Sequence, residues 1–246
     1  MIYILALISL LFVAIGYIVN EKNAKYLLAG YNSMSEEDRK QLDIKSFLPF
    51  FRKFHIFLGM SLFIIFILIN QLISSNTAGI FFAIYPILGY CYFILASAKY
   101  NGNKKASWSR MGVGILLLTL VFVISIIAYG FKENTISFDS DKIEFHGSYG
   151  EVVRREQIKS LELVERIPKI TIRTNGFSLG EIRKGYFTSG TGEIVKLIIN
   201  AEKSPLILFT KTNDKKIYYS SKSRSNEELF TEITKALPIT ESKQTK

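Results

Sequence analysis

Cysteine, histidine and tryptophan are nearly missing from this 246-residue chain, which has one Cys, one Trp and two His. The lone Cys91 allows neither an intramolecular disulfide nor a cysteine-based zinc site. His55 and His146 lie in different halves, so no histidine-rich metal cluster is expected. A G-x-S-x-G elbow, a P-loop and a dinucleotide fingerprint are all lacking. The sequence therefore assigns no catalytic, cofactor-binding or metal-binding residue, and it identifies no ligand-binding residue. The expectation is a protein that is not an enzyme and carries no cofactor.

Charge is missing from four long apolar runs: Ile2–Val19, His55–Ile73, Ala78–Ala98 and Met111–Tyr129. None contains Asp, Glu, Lys or Arg. Each is about the length that crosses a bilayer core at ~1.5 Å rise per residue. A cleaved signal peptide would want a basic start and a small-residue cleavage site. The first run has neither, so it reads as a retained span. Proton relays and ion sites need ionisable groups inside the membrane, which argues against autonomous coupled transport but not against an accessory role. His55 at a span edge reads as a half-solvated imidazole. Asn70 and Gln71 read as interhelical hydrogen-bonders, and Tyr85, Tyr90 and Tyr92 as packing residues. Pro86 is expected to kink its helix.

What charge there is up to Gly130 is lopsided: 11 Lys/Arg against 5 Asp/Glu, net +6. Lys22, Lys25, Arg39, Lys40, Lys45, Arg52 and Lys53 fall in the first loop, and Lys99, Lys104, Lys105 and Arg110 in the third. The positive-inside rule puts both loops in the cytoplasm, and four spans then put the N-terminus and the C-terminal domain outside. In the first loop, Ser35 is placed to cap a short helix opening on Glu36, Glu37 and Asp38. Phe47–Phe54 (FLPFFRKF) mixes aromatics with Arg52 and Lys53, which suits a segment at the headgroup level.

After Gly130 the pattern alternates. Strands are expected at Thr135–Phe138, Lys142–Phe145, Glu151–Arg154, Ile158–Val164, Lys169–Arg173, Ile194–Asn200, Leu206–Thr210 and Lys215–Ser220, with a further candidate in IRKGYF (Ile182–Phe187). Asn175-Gly176 and Gly190-Thr191-Gly192 read as turns; the latter is a weaker candidate for anion binding through its backbone N–H groups. Glu162 and Glu165 read as surface carboxylates, and His146 as an exposed strand-end residue. The last element is a helix, Asn226–Leu237, with Ser225 and Glu228 forming a capping box and one apolar face made by Leu229, Phe230, Ile233, Ala236 and Leu237. Pro238 stops it.

The strands followed by one apolar-faced helix, with DKIEFHGSYG (Asp141–Gly150), Ile158–Ile170 and GFSLGEIRKGYF (Gly176–Phe187), resemble the pleckstrin homology (PH) fold of bacterial PH-like domains. The run LLAGYNSMSEEDRKQLD also resembles a bacterial multi-pass membrane family of unknown function, marked by Gly-Tyr-Asn-Thr-Met-Ser after the first span. Ser33 stands here where that pattern has Thr. The PH resemblance implies a bent β barrel closed by its helix. PH domains that bind inositol phosphates have a basic first hairpin loop, whereas Asp139-Ser140-Asp141 is acidic. Arg154-Arg155, Arg183-Lys184 and Lys215-Lys216 are neighbours on strands, point to opposite faces and make no patch by themselves. No specific phosphoinositide binding is therefore expected.

The expected architecture is a domain of four transmembrane helices (1–130), an all-β PH-like barrel capped by a C-terminal helix (131–240) and a disordered tail (241–246). The expected role is a membrane-anchored interaction or scaffold module, with a transport accessory subunit as the alternative. Its partners would be the bilayer and another membrane or envelope protein, not nucleic acid. Reporter fusions after Asn103 and after Lys246 should lie on opposite sides of the membrane; the same side for both would remove the last span.

Overall fold

The computed structural model describes residues 2–28, 31, 36–100, 106–237 and 242–244. These form two compact units, Met1–Ser125 and Ile126–Lys246. The expected turn at Gly30–Asn32, the Ser35 cap and Pro238 lie outside the described residues, Tyr31 apart.

The first unit is helical: α1 (Ile2–Ile18), α2 (Ala24–Leu27), α3 (Glu36–Gln41), α4 (Ile44–Leu72), α5 (Ser75–Ser97) and most of α6 (Ala106–Phe131). Three stretches are long and apolar enough to cross a membrane: Ile44–Leu72, Ser75–Tyr100 and Arg110–Phe131. α1, from the first run, is a shorter apolar helix of 17 residues and stands apart from these three. α1 lies antiparallel along α4, where Leu5 packs with Leu62 and Phe66 and Gly16 faces Arg52 and His55. Between them Gly59 meets the Ser9 backbone so closely that a methyl group there would collide with it.

The structure also revises the reading of Phe47–Phe54. This stretch is not a separate segment but part of the 29-residue helix α4, continuous with the second apolar run. Asp43 opens that helix by accepting from Ser46 N at 3.1 Å, and Pro49 lies in its second turn, where it forgoes one backbone bond. Ser74 caps α5 through Thr77 N, so α4 and α5 form a tight antiparallel pair. Tyr85 bonds Ser61 at 2.6 Å and Tyr90 bonds His55 at 3.2 Å across it. His55 is buried, not half-solvated, because Phe51, Phe54 and Phe93 surround its ring. Asn70 and Gln71 are exposed at the far end of α4. From Arg110 to Phe131 no apolar side chain of α6 is buried, an arrangement suited to acyl chains as solvent.

The second unit holds β1 (Ile136–Phe138), β2 (Lys142–Phe145), β3 (Glu151–Arg154), β4 (Ile158–Val164), β5 (Ile170–Leu179), β6 (Ile182–Ser189), β7 (Ile194–Ile199), β8 (Leu206–Lys211), β9 (Lys216–Ser220), α7 (Asn226–Ala236) and β10 (Ser242–Gln244). The strands fall into two sheets, β1-β2-β3 and the seven-stranded β10-β4-β8-β9-β7-β6-β5. The larger sheet is mixed: β7 runs parallel to β9, and β10 parallel to β4. Thus part of the expected disordered tail is a strand. β4 has an open edge there, and backbone N–H and C=O groups pair along an edge whatever the side chains.

Asn175-Gly176 is not a hairpin turn. It lies inside β5 at a register irregularity opposite Gly185 and Tyr186, and the chain reverses instead at Gly180-Glu181. Gly180, at φ +57, takes the position where a two-residue hairpin loop wants glycine. Gly176 and Gly185 face each other because a side chain on either would strike the opposite backbone.

The larger sheet is buried on both faces. Phe187, Val195, Leu197, Ile199, Leu206, Leu208 and Tyr218 form one cluster. The opposite face joins the small sheet and α7 in the main core. Ser225 Oγ caps α7 by accepting from Glu228 N at 3.4 Å, and it donates to Glu227 at 2.7 Å. Leu229, Phe230, Ile233 and Leu237 are buried. Phe230→Asp or Ile233→Asp places an unpaired charge in that core and costs several kcal/mol, on the order of a domain's whole stability. Either variant should lose the cooperative melt of the β domain by circular dichroism; unchanged melting would show that α7 is not core.

Candidate interaction site

Three arrangements in the second unit bring polar groups together. One is where α6 runs into the sheets. The last turn of α6 ends against Phe177, whose ring covers Gly130 and meets Phe131 edge-on at 6.2 Å. The next three residues are held individually. Lys184, buried on β6, donates to the Lys132 carbonyl, placing a cation at the helix C-terminus. Glu133 accepts from Lys222 N at 2.7 Å, Ser221 Oγ at 3.0 Å, and Ser223 N and Oγ at 3.1 and 3.2 Å. Burial alone would raise its pKa, but these bonds outweigh burial and hold it below the usual carboxylate value. Asn134 N donates to Asn200 Oδ1 at 2.8 Å, and Asn200 returns a bond to Asn134 O at 2.9 Å. Tyr219 Oη adds a bond to that oxygen at 3.1 Å. Burial, aided by the nearby Glu133, pushes the Tyr219 phenol up to about 12.

A second polar cluster ties the sheets. Glu151 on β3 bonds Lys196 at 2.8 Å and also pairs with Lys211. Burial again acts to raise the Glu151 pKa, and the two lysines overcome it. Lys196 also lies 5.3 Å from the Tyr186 ring centroid. Every member has its partners, so this cluster has the form of a structural clamp.

The third arrangement is a groove of about 770 Å³ on the second unit. Its floor is Ile167, Ile170, Ile199 and Leu206, and its sides carry Arg166, Lys169, Arg183 and Lys203 against Glu165 and Glu202. The 165–170 segment between β4 and β5 forms one wall, fixed by Ser204 Oγ donating to Glu165 O at 2.8 Å. Lys203 Nζ donates to Lys222 O at 2.8 Å. No ion pair to Arg166, Lys169 or Arg183 occurs among the described residues.

The sequence-based expectations meet this geometry unevenly. Arg183 and Lys184 do point to opposite faces, but Arg183 joins cations from other segments, so one basic surface forms after all. Asp139 accepts from Asp141 N and Lys142 N at 2.8 and 2.9 Å; these bonds lower its pKa and keep the first hairpin loop acidic. Gly190 N and Gly192 N bond Lys169 O and Ser189 O, which leaves them engaged in the hairpin rather than open to an anion. His146 is exposed and bonds Ser137 at 2.8 Å, beside Glu144 at 3.5 Å. Glu162 accepts from Ser160 Oγ, and Glu165 lies in the groove. Among the described residues no group of three or more His, Cys, Asp or Glu could hold a metal ion.

Residues 6–101 match the profile of a domain of unknown function, DUF3784. The match covers α1 to α5 and leaves the β unit outside it. No curated protein and no solved structure matches the chain.

Burial drives the Lys184 pKa down to about 8, with Glu133 opposing the shift and Lys222 adding to it. Between pH 8 and the unfolded value the unfolded chain binds the extra proton, so stability gained from this residue rises with pH. A neutral amine still donates to Lys132 O. The melting temperature of wild type relative to Lys184→Met should therefore rise between pH 8 and 10; a constant difference would show that Lys184 titrates normally.

Proposed function

We propose that this chain is an integral membrane protein whose C-terminal unit is a PH-like interaction module without catalytic activity. The resemblance of Asp141–Gly150 and Gly176–Phe187 to PH-like domains supports the fold reading, as does the closing helix α7. The groove supports the function reading. Four cations surround an apolar floor with only two carboxylates among them. That combination favours a partner segment that is acidic and carries apolar side chains, because charge complementarity guides encounter while apolar burial holds the complex. The partner is a membrane or envelope protein presenting such a segment to the module. In this reading inositol phosphates are not the ligand, since the first hairpin loop stays acidic.

The test compares wild type with Arg166→Glu/Lys169→Glu/Arg183→Glu, each purified as the full chain from native membranes. Wild type should retain a protein with an acidic segment, and a synthetic peptide of that segment should bind with affinity that falls as salt rises. The triple variant should lose both while melting like wild type, since all three side chains are at the surface. Retention by the variant, or displacement of the peptide by inositol phosphates, would sink this function for the groove.

A further inference from the structure

We propose a second site, in the membrane unit: a cleft between the end of α1 and the start of α4 that binds the headgroup of an anionic glycerophospholipid. The cleft has a volume of about 690 Å³. It is lined by Lys22, Lys45, Arg52 and Lys53, with Glu21 as its one carboxylate, a local net charge of +3. The cations come from both sides of the first loop and are gathered by the antiparallel packing of α1 on α4.

Arg52 is prepared for an anion. Its Nε donates to Gly16 O at 3.3 Å, and its guanidinium lies 5.4 Å from the Tyr17 ring centroid. These contacts fix the plane of the fork, and its two terminal nitrogens have no protein partner among the described residues. A planar fork held this way matches two phosphate oxygens at little further entropic cost. Pro49 lies in the same cleft and has no N–H to give to the Lys45 carbonyl one turn earlier. A carbonyl without that partner, beside three lysines, suits a headgroup that carries hydroxyls next to its phosphate.

Position distinguishes lipid from free phosphate. The apolar run of α1 ends at Val19, and that of α4 begins at His55. The cleft lies where both helices change from apolar to charged, the level of headgroups when the two helices are in a bilayer. A lipid held there can also lay its chains on the exposed apolar faces of the same helices, which free phosphate cannot do. This site is independent of the groove in the β unit.

The experiment is native mass spectrometry of the full chain with phosphatidylglycerol or phosphatidylcholine, and with inorganic phosphate as competitor. Wild type should retain phosphatidylglycerol at least about fivefold better than phosphatidylcholine, equivalent to roughly 1 kcal/mol. Lys45→Gln/Lys53→Gln should abolish that preference, while Lys25→Gln, an exposed cation outside the cleft, should keep it. All three lysines are exposed, so the variants fold. Equal retention of both lipids, or equal loss in Lys25→Gln, overturns the site in favour of diffuse attraction. Displacement by inorganic phosphate assigns the cleft to free phosphate and overturns the lipid reading.

Discussion

The β unit depends on three residues that belong to no regular element, Lys132, Glu133 and Asn134. A helix that ends leaves carbonyls without partners, and a chain that then enters a core cannot leave them so. Here each group is answered by a different part of the fold: Lys184 from β6, the 221–223 loop before α7, and Asn200, just past β7, with Tyr219 from β9. The entry segment is thus bound to elements from the middle and the end of the domain. Its glycines follow from this crowding. Gly147, at φ +98, leaves room for the Asn134 side chain, which bonds Ser148 O at 2.7 Å.

Much of this architecture was legible in the sequence. Uninterrupted apolar runs foretold the three long helices, since a bilayer asks only for length and lack of charge. β2, β3 and β4 stand at their expected residues because alternation and short turns are local signals. The apolar face of α7 was legible for the same reason. Asn175-Gly176 was misread because the same dipeptide serves a tight turn and a close strand crossing. The opposing Gly185, which settles the matter, is remote until the hairpin forms. The length of α4 was hidden because Arg52 and Lys53 set Phe47–Phe54 apart from the apolar run that begins at His55, although one helix continues through both.

The interaction groove was illegible for a deeper reason. Arg166 and Lys169 come from a connection, Arg183 from a strand, and Lys203 from the loop before β8. Only the mixed topology of the larger sheet brings them together. Neighbouring basic pairs, which a sequence displays, are the wrong unit: Arg183 and Lys184 part company, one at the groove and one in the core.

The distribution of charge then gives the groove its distinctness. The β unit nets only +4 from Phe131 onward, which spread evenly would mean little at physiological ionic strength. It is not spread evenly. Lys196 and Lys211 are bound by Glu151, Lys216 by Glu193, Lys159 by Asp214 and Arg224 by Glu232. The pairs at Lys216, Lys159 and Arg224 are at the surface and add little stability, but each cancels a cation locally, and Glu151 offsets one of the two charges it bridges. Lys184 is withdrawn into the core. Arg166, Lys169 and Arg183 have no such partner among the described residues, and they face one apolar floor together. A weakly basic domain thereby gathers four cations against two carboxylates at one groove, and pairing elsewhere contributes to that contrast along with convergence.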